Sequence, residues 1–225
     1  MCSLEVAAPF QEQTSPPPSS LRPIKRAPKY EAICYTWGDG AIKEDITCDG
    51  QILRITSSLA TALRKFRLVD KERILWADGI CINQKDVKER SHQVMLMAAI
   101  YSQATRVLCW LGDDEDSHAS HTFKLARRLT EKLEPHLHGK KSKFQVKTHQ
   151  GIALVNSEEY FLFTLQDAEL EELLTDPAVM RHISLLYKKS WFYRMWIRQE
   201  FGYASKAQVF CGDSEVDWTH LKRLY

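Results

Sequence analysis

Two short apolar runs set the fold class. Residues 73–78 read RILWAD and residues 106–112 read RVLCWLG. Neither shows the alternating polar positions of a half-solvated strand, and each is too short for a helix. Both fit strands buried on two faces of a parallel sheet. YEAICYTWGD at 30–39, stopped by Gly38, and AQVFCG at 207–212 are two more such runs. Helical periodicity fills the gaps between them. Leu59, Ala62, Leu63 and Phe66 recur at helical spacing behind Thr56 or Ser57 as cap. Asp86, with Glu89 three residues on, predicts the start of a second helix whose inner face is Val87, Val94, Met97, Ala98 and Tyr101. A third helix holds Phe123, Leu125, Ala126, Leu129 and Leu133 and ends before Pro135. Strand and helix in alternation predict an α/β domain with an open, mostly parallel sheet and helices on both faces.

Punctuation fills in the remainder. DITCDGQILRIT, with Asp49-Gly50 at its centre, predicts a β-hairpin. Residues 135–176 look inserted, with DAELEELL as a short surface helix. Asp176-Pro177 caps and opens a helix that buries Met180, Ile183, Leu186 and Tyr187. A further helix is expected over 193–204, YRMWIRQEFGYA, which stacks Trp196 and Glu200 on one face beside Tyr193 and Tyr203. Residues 1–27 contain TSPPPSS and little apolar periodicity, so they read as a flexible leader before a domain over 28–225. The chain ends just after DWTHLKRL, a helix entry, which points to a piece of a longer protein.

Composition removes several functions. A formal net charge of +2, with no basic stripe interleaved with aromatics, argues against a nucleic-acid binder. No apolar run approaches the ~20 residues of a membrane span. The start lacks the basic-then-apolar order of a secretory signal. Cys34, Cys109 and Cys211 sit inside apolar runs and Cys81 follows one, as core thiols do. These features describe a cytoplasmic protein. No Cys/His ligand spacing occurs, so no metal site is expected. Neither a dinucleotide-binding G-x-G-x-x-G, a phosphate loop nor a G-x-S-x-G elbow is present.

Ligands of open α/β sheets bind beyond the carboxyl ends of the strands. That rule singles out Trp37, Gly38 and Asp39, then Asp78, Gly79 and Cys81, then Gly112 and Asp113. Cys81 reads as a nucleophile or as a buried thiol. Asp39 and Asp78, each taken alone, also read as turn residues. Glu200 differs because a carboxylate beside Trp196 is partly desolvated, which costs free energy unless a partner or a function compensates. Pairing with Arg194 or Arg198 is the structural reading of the same residue.

Three blocks of sequence carry a resemblance. They are YEAICYTWGD at 30–39; LWADGICINQ at 75–84 with its continuation through Glu89, Gln93 and Tyr101 to VLCWLG at 107–112; and RMWIRQE at 194–200. In content and order they resemble the fungal heterokaryon incompatibility (HET) domain, which is itself distantly similar to TIR domains. The resemblance implies a TIR-like, flavodoxin-like sheet and a cell-death effector in nonself recognition. It also implies cleavage of NAD⁺ as substrate, without a cofactor, by a W-x-x-x-E helix. Trp196 and Glu200 keep that spacing, so Glu200 is the implied catalytic residue. Tyr35, Trp37, Gly38, Asp39, Asp78, Gln84 and Trp196 are the implied substrate-binding set. Self-association and an unknown regulatory or sensor partner complete the expectation; a noncatalytic module that signals by oligomerisation is the alternative. The chemistry is consistent. Glycosidases need two carboxyl groups because an alkoxide leaving group must be protonated. Nicotinamide leaves NAD⁺ as a neutral molecule, so one carboxylate opposing the oxocarbenium charge can suffice.

Overall fold

The structure is a computed structural model that describes residues 28–48, 50–137, 144–148, 151–155, 175–194, 202–222 and 224, with short backbone segments at 4–6, 10–11 and 22–23. The chain divides into two compact units, Met1–Asp114 with Lys188–Trp218, and Glu115–Tyr187 with Thr219–Tyr225.

The first unit is built on a six-stranded sheet. Its strands, in chain order, are β1 (Leu4–Val6), β4 (Glu31–Tyr35), β7 (Arg73–Trp76), β8 (Val107–Trp110), β11 (Ala207–Cys211) and β12 (Ser214–Asp217). Short pairs β2 (Phe10–Gln11) with β3 (Arg22–Pro23), and β5 (Lys43–Cys48) with β6 (Gln51–Thr56), lie outside it. The spatial order is β1-β7-β4-β8-β11-β12, parallel throughout except for the β11–β12 pair. The open, mostly parallel sheet expected from the apolar runs is therefore present. β1 lies within the segment expected to be a flexible leader, and it pairs Leu4 to Val6 with Arg73 to Leu75.

Alternation along the strands sends side chains to two faces. Ile33 and Tyr35, Leu75, Leu108 and Trp110, and Phe210 face helix α1 (Ser57–Phe66), which contributes Leu59, Leu63 and Phe66 to the same core. Phe66 meets the edges of Phe210 and Trp110 at 5.0 and 6.3 Å between centroids. The opposite face carries Trp76, which meets Tyr101 of helix α3 (Val87–Gln103) edge-on at 5.6 Å. Thr56 caps α1, as expected, by accepting from the Leu59 amide. The hairpin β5–β6 turns at Gly50, whose φ of +74° suits glycine; Asp49 lies outside the described residues.

Helix α3 differs from its expected form in two ways. Asp86 caps it, but Glu89 accepts from the Asn83 amide instead of closing a capping box on Asp86. Its buried residues are Gln93, Leu96, Ile100 and Tyr101, while Val87 and Val94 are exposed. Apolar residues ring this helix, so their spacing does not choose the face. β12 was not anticipated: SEVD carries one buried apolar residue, Val216, as an edge strand can.

The second unit holds helices α4 (His118–Leu137) and α5 (Pro177–Tyr187), which pack Leu125 and Leu129 against Val179, Ile183 and Leu224. α4 runs past Pro135, where it was expected to stop, since a proline near a helix end removes only one of its backbone hydrogen bonds. Asp176 accepts from the Ala178 amide at 2.8 Å and opens α5 as expected. Within the segment read as inserted, β9 (Phe144–Thr148) and β10 (Gly151–Val155) form an antiparallel pair. The DAELEELL helix, over 167–174, lies outside the described residues. A single turn, α6, spans Trp218–Leu221. Among the described residues, no helix is long and apolar enough to cross a membrane.

Candidate functional site

Four central strands run β7-β4-β8-β11 in space, so the chain builds outward first to one side of β4 and then to the other. Sheets wound this way open a crevice at the carboxyl ends of the strands where the winding reverses. Beyond β4 the chain continues through Trp37, and Ser58 at the start of α1 donates its hydroxyl to the Thr36 carbonyl, fixing that loop. Beyond β7 a single helical turn, α2 (Asp78–Cys81), begins directly.

These two ends meet at Asp78. The Trp37 indole donates to Asp78 Oδ2 at 2.9 Å, and Gln84 Nε2 donates to the Asp78 carbonyl at 2.9 Å. Arg194 Nη1 donates to the Tyr35 carbonyl at the last residue of β4. Gly79 passes so close to the buried Tyr35 that a Cβ there would lie 2.6 Å from the phenol oxygen and 3.2 Å from Leu59 Cδ2. Gly79→Ala therefore forces a shift in a packed core and is expected to destabilise by about 1–3 kcal/mol, read as a lower urea midpoint at unchanged slope.

The Asp78 residue keeps some surface, yet its Oδ1 is shielded from solvent and has no hydrogen-bond partner. Burial raises its carboxyl above the usual carboxylate range. The Trp37 hydrogen bond, the nearby Tyr35 phenol, the Arg194 charge and the Gly79 amide oppose that rise without cancelling it. The phenol stands close to the carboxylate but short of full hydrogen-bond geometry. Tyr35 itself is pushed up, first by burial and then by the Asp78 charge. Because the folded value exceeds the unfolded one, the unfolded chain ionises first. Stability thus falls as pH rises from about 3.9, the ordinary Asp value, until the raised folded value is passed. Asp78→Asn should remove this slope, so the variant gains on the parent as pH rises toward neutral. Urea midpoints at several pH values check this, and parallel curves would count against a raised Asp78.

The residues expected from sequence separate into three groups. Tyr35, Trp37, Asp78 and Gln84 come together. Gly38, at φ +69°, and Asp39 are exposed, and Asp39 Oδ1 accepts from the Ala41 amide at 2.8 Å, the turn reading of that residue. Trp196 and Glu200 lie outside the described residues. Tyr193 ends a 3-10 turn, Ser190–Tyr193, and Arg194 is extended, so a helix does not start at Tyr193 as expected. Cys81 is buried and its thiol is pushed up to about 12, chiefly by burial, which fits a core thiol and not a nucleophile. Arg194 is the participant that sequence reasoning did not assign to this cluster. Its position at the head of the third block was the available signal.

A mostly parallel α/β domain with a sheltered carboxylate, an indole and a guanidinium at its strand ends is of the doubly wound class. The chain belongs to the heterokaryon incompatibility (HET) family, whose model, described as heterokaryon incompatibility protein (HET), matches residues 30–200. It is also similar to heterokaryon incompatibility protein 6, OR allele, of Neurospora crassa, with 29% identity over 234 aligned positions covering 90% of this chain and 31% of that protein. The chain thus spans about a third of the length of that curated relative. No solved structure matches it.

Proposed function

We propose that this domain is a cell-death effector of nonself recognition that cleaves the nicotinamide–ribose bond of NAD⁺ when assembled. The observation that carries the reading is the anchoring of Arg194 on the Tyr35 carbonyl beside Asp78. It ties the head of the block that contains Trp196 and Glu200 to the carboxyl end of β4. In this reading Glu200 opposes the positive charge that develops on the ribose. Trp37 and Trp196 offer rings to the pyridinium, while Asp78 and Gln84 face the substrate and buried Tyr35 backs Asp78. Incompatibility, the process named for the Neurospora relative, supplies the setting, and regulatory sequence or a sensor partner supplies the trigger.

An active NAD⁺ hydrolase would harm its host, so activity is tied to assembly. Tethering raises local concentration to roughly millimolar without any new contact. The test fuses the chain to an inducible oligomeriser and follows nicotinamide release from NAD⁺. Release per molecule rises on induction if the reading holds. A folded, assembled chain that releases none overturns it in favour of a noncatalytic interaction module. Chelator leaves the rate unchanged, because a neutral leaving group needs no Lewis acid; activity lost with chelator and restored by Zn²⁺ or Mg²⁺ would contradict the one-carboxylate chemistry.

A further inference from the structure

An open cavity of about 240 Å³ lies in the first unit between the β5–β6 hairpin, α1 and β7. Its apolar walls are Ile46, Ala60, Leu63, Leu75, Ala77 and Ile80, and among the described residues no acidic one lines it. Arg64 and Arg67 line it as well. Arg64 is already neutralised by Glu44. Arg67 is exposed, and among the described residues its side chain makes no hydrogen bond or ion pair. Ile46 and Ile80 are only half-buried, so the hairpin leaves apolar surface open beside a positive charge that no described residue pairs with.

We infer that this groove binds a medium-chain fatty acid, its alkyl chain on the Leu63–Leu75–Ile80 floor and its carboxylate on Arg67. Size favours a small ligand: a dry cavity of about 150 Å³ takes benzene, and drug-sized pockets begin near 300 Å³. The space therefore suits an alkyl chain of about ten carbons and is too small for a docked helix. Charge then selects the head group, since an amine or a second cation would meet Arg67 unfavourably. This site does not depend on NAD⁺ cleavage, and its floor only touches the functional crevice where Ala77 and Ile80 flank Asp78 and Gly79.

The experiment titrates decanoate, decan-1-ol and decylamine into the whole chain by calorimetry, with methyl NMR spectra recorded in parallel. Decanoate should bind saturably, shift the methyl signals of Ile46, Leu63, Leu75 and Ile80, and outcompete decylamine. Arg67→Glu alters an exposed side chain and leaves the fold intact. It should weaken decanoate about tenfold, the loss of one charge-assisted hydrogen bond, and leave decan-1-ol unchanged. Ala60→Leu, which fills the cavity, should weaken both. Equal decanoate affinity for the parent and Arg67→Glu overturns the assignment of the head group. Shifts confined to residues outside the groove, or no saturable decanoate binding, overturn the site. Binding only of an acidic apolar peptide, with decanoate inert, would replace the fatty acid by a protein partner and equally overturn it.

Discussion

Glu31→Ala lowers the unfolding free energy by about 3 kcal/mol at neutral pH. Glu31 opens β4 at the amino end of the sheet, opposite the candidate site, and holds two arginines. Arg73, just inside β7, grips both of its carboxylate oxygens, and Arg106, just before β8, grips one. Arg73 also donates to the Phe66 carbonyl at 2.6 Å, and Arg106 to Gln208 of β11 at 2.8 Å. One carboxylate thus ties together three adjacent strands and reaches a fourth. Burial alone would raise its carboxyl; the hydrogen bonds and charges of Arg73 and Arg106 outweigh burial and hold it below the ordinary range. Glu31 and Arg73 keep 15% and 10% of their side-chain surface, so removing the anion strands a sheltered cation. Arg106 keeps 40% and is relieved by water, which places the cost at the lower end for a buried pair. The sign with pH is opposite to that for Asp78. Glu31's contribution is complete above the unfolded glutamate value and disappears as pH falls through the lowered folded value. Replacing Glu31, Arg73 and Arg106 together by Leu, Met and Met should recover most of the loss. A cost under about 1 kcal/mol for Glu31→Ala, measured by urea unfolding, would mean that solvent already screens the triad.

The strands were legible where burial on both faces left no polar position, as in VLCW of β8, every residue of which is buried. Their spatial order was not, because it depends on which crossover lies on which face. The polar edge strand β12 escaped notice for a related reason: it pairs only through β11, and SEVD has no apolar period of its own. α3 shows the limit of helical spacing. Apolar residues occur all round it, and the buried Gln93 looks like a surface residue in sequence. The hairpin, by contrast, was plain from Asp49-Gly50 and its flanking alternation.

The site was legible in so far as topology determines it. Tyr35 ends one of two adjacent parallel strands, and Trp37, Asp78 and Gln84 follow them, so placing those strands places the residues. Which carboxylate is sheltered was not evident. Asp39 and Asp78 look equivalent in sequence, yet one serves an exposed turn while the other receives an indole. Arg194 lies 159 residues from Tyr35 along the chain, and local patterns carry no signal for such a contact.

Glu200→Gln should slow nicotinamide release about a hundredfold to a thousandfold in the assembled protein, with KM nearly unchanged. The amide keeps the shape and most of the hydrogen-bonding capacity of the carboxylate and removes only its charge. An interaction that matters when the ribose becomes cationic is therefore lost in the transition state and largely kept in the bound substrate. The competing structural reading, in which Glu200 pairs with a basic residue and merely holds its segment, predicts a different pattern. There the variant loses about 1 kcal/mol of stability, and enzyme that remains folded works at nearly the parent rate. Asp78→Asn separates the two carboxylates. It removes a sheltered group whose charge is already disfavoured, so its main effect falls on the pH profile. Release rates and thermal midpoints measured together for the parent and both variants decide the question. A Glu200→Gln rate within about threefold of the parent, at any midpoint, removes Glu200 from the catalytic role.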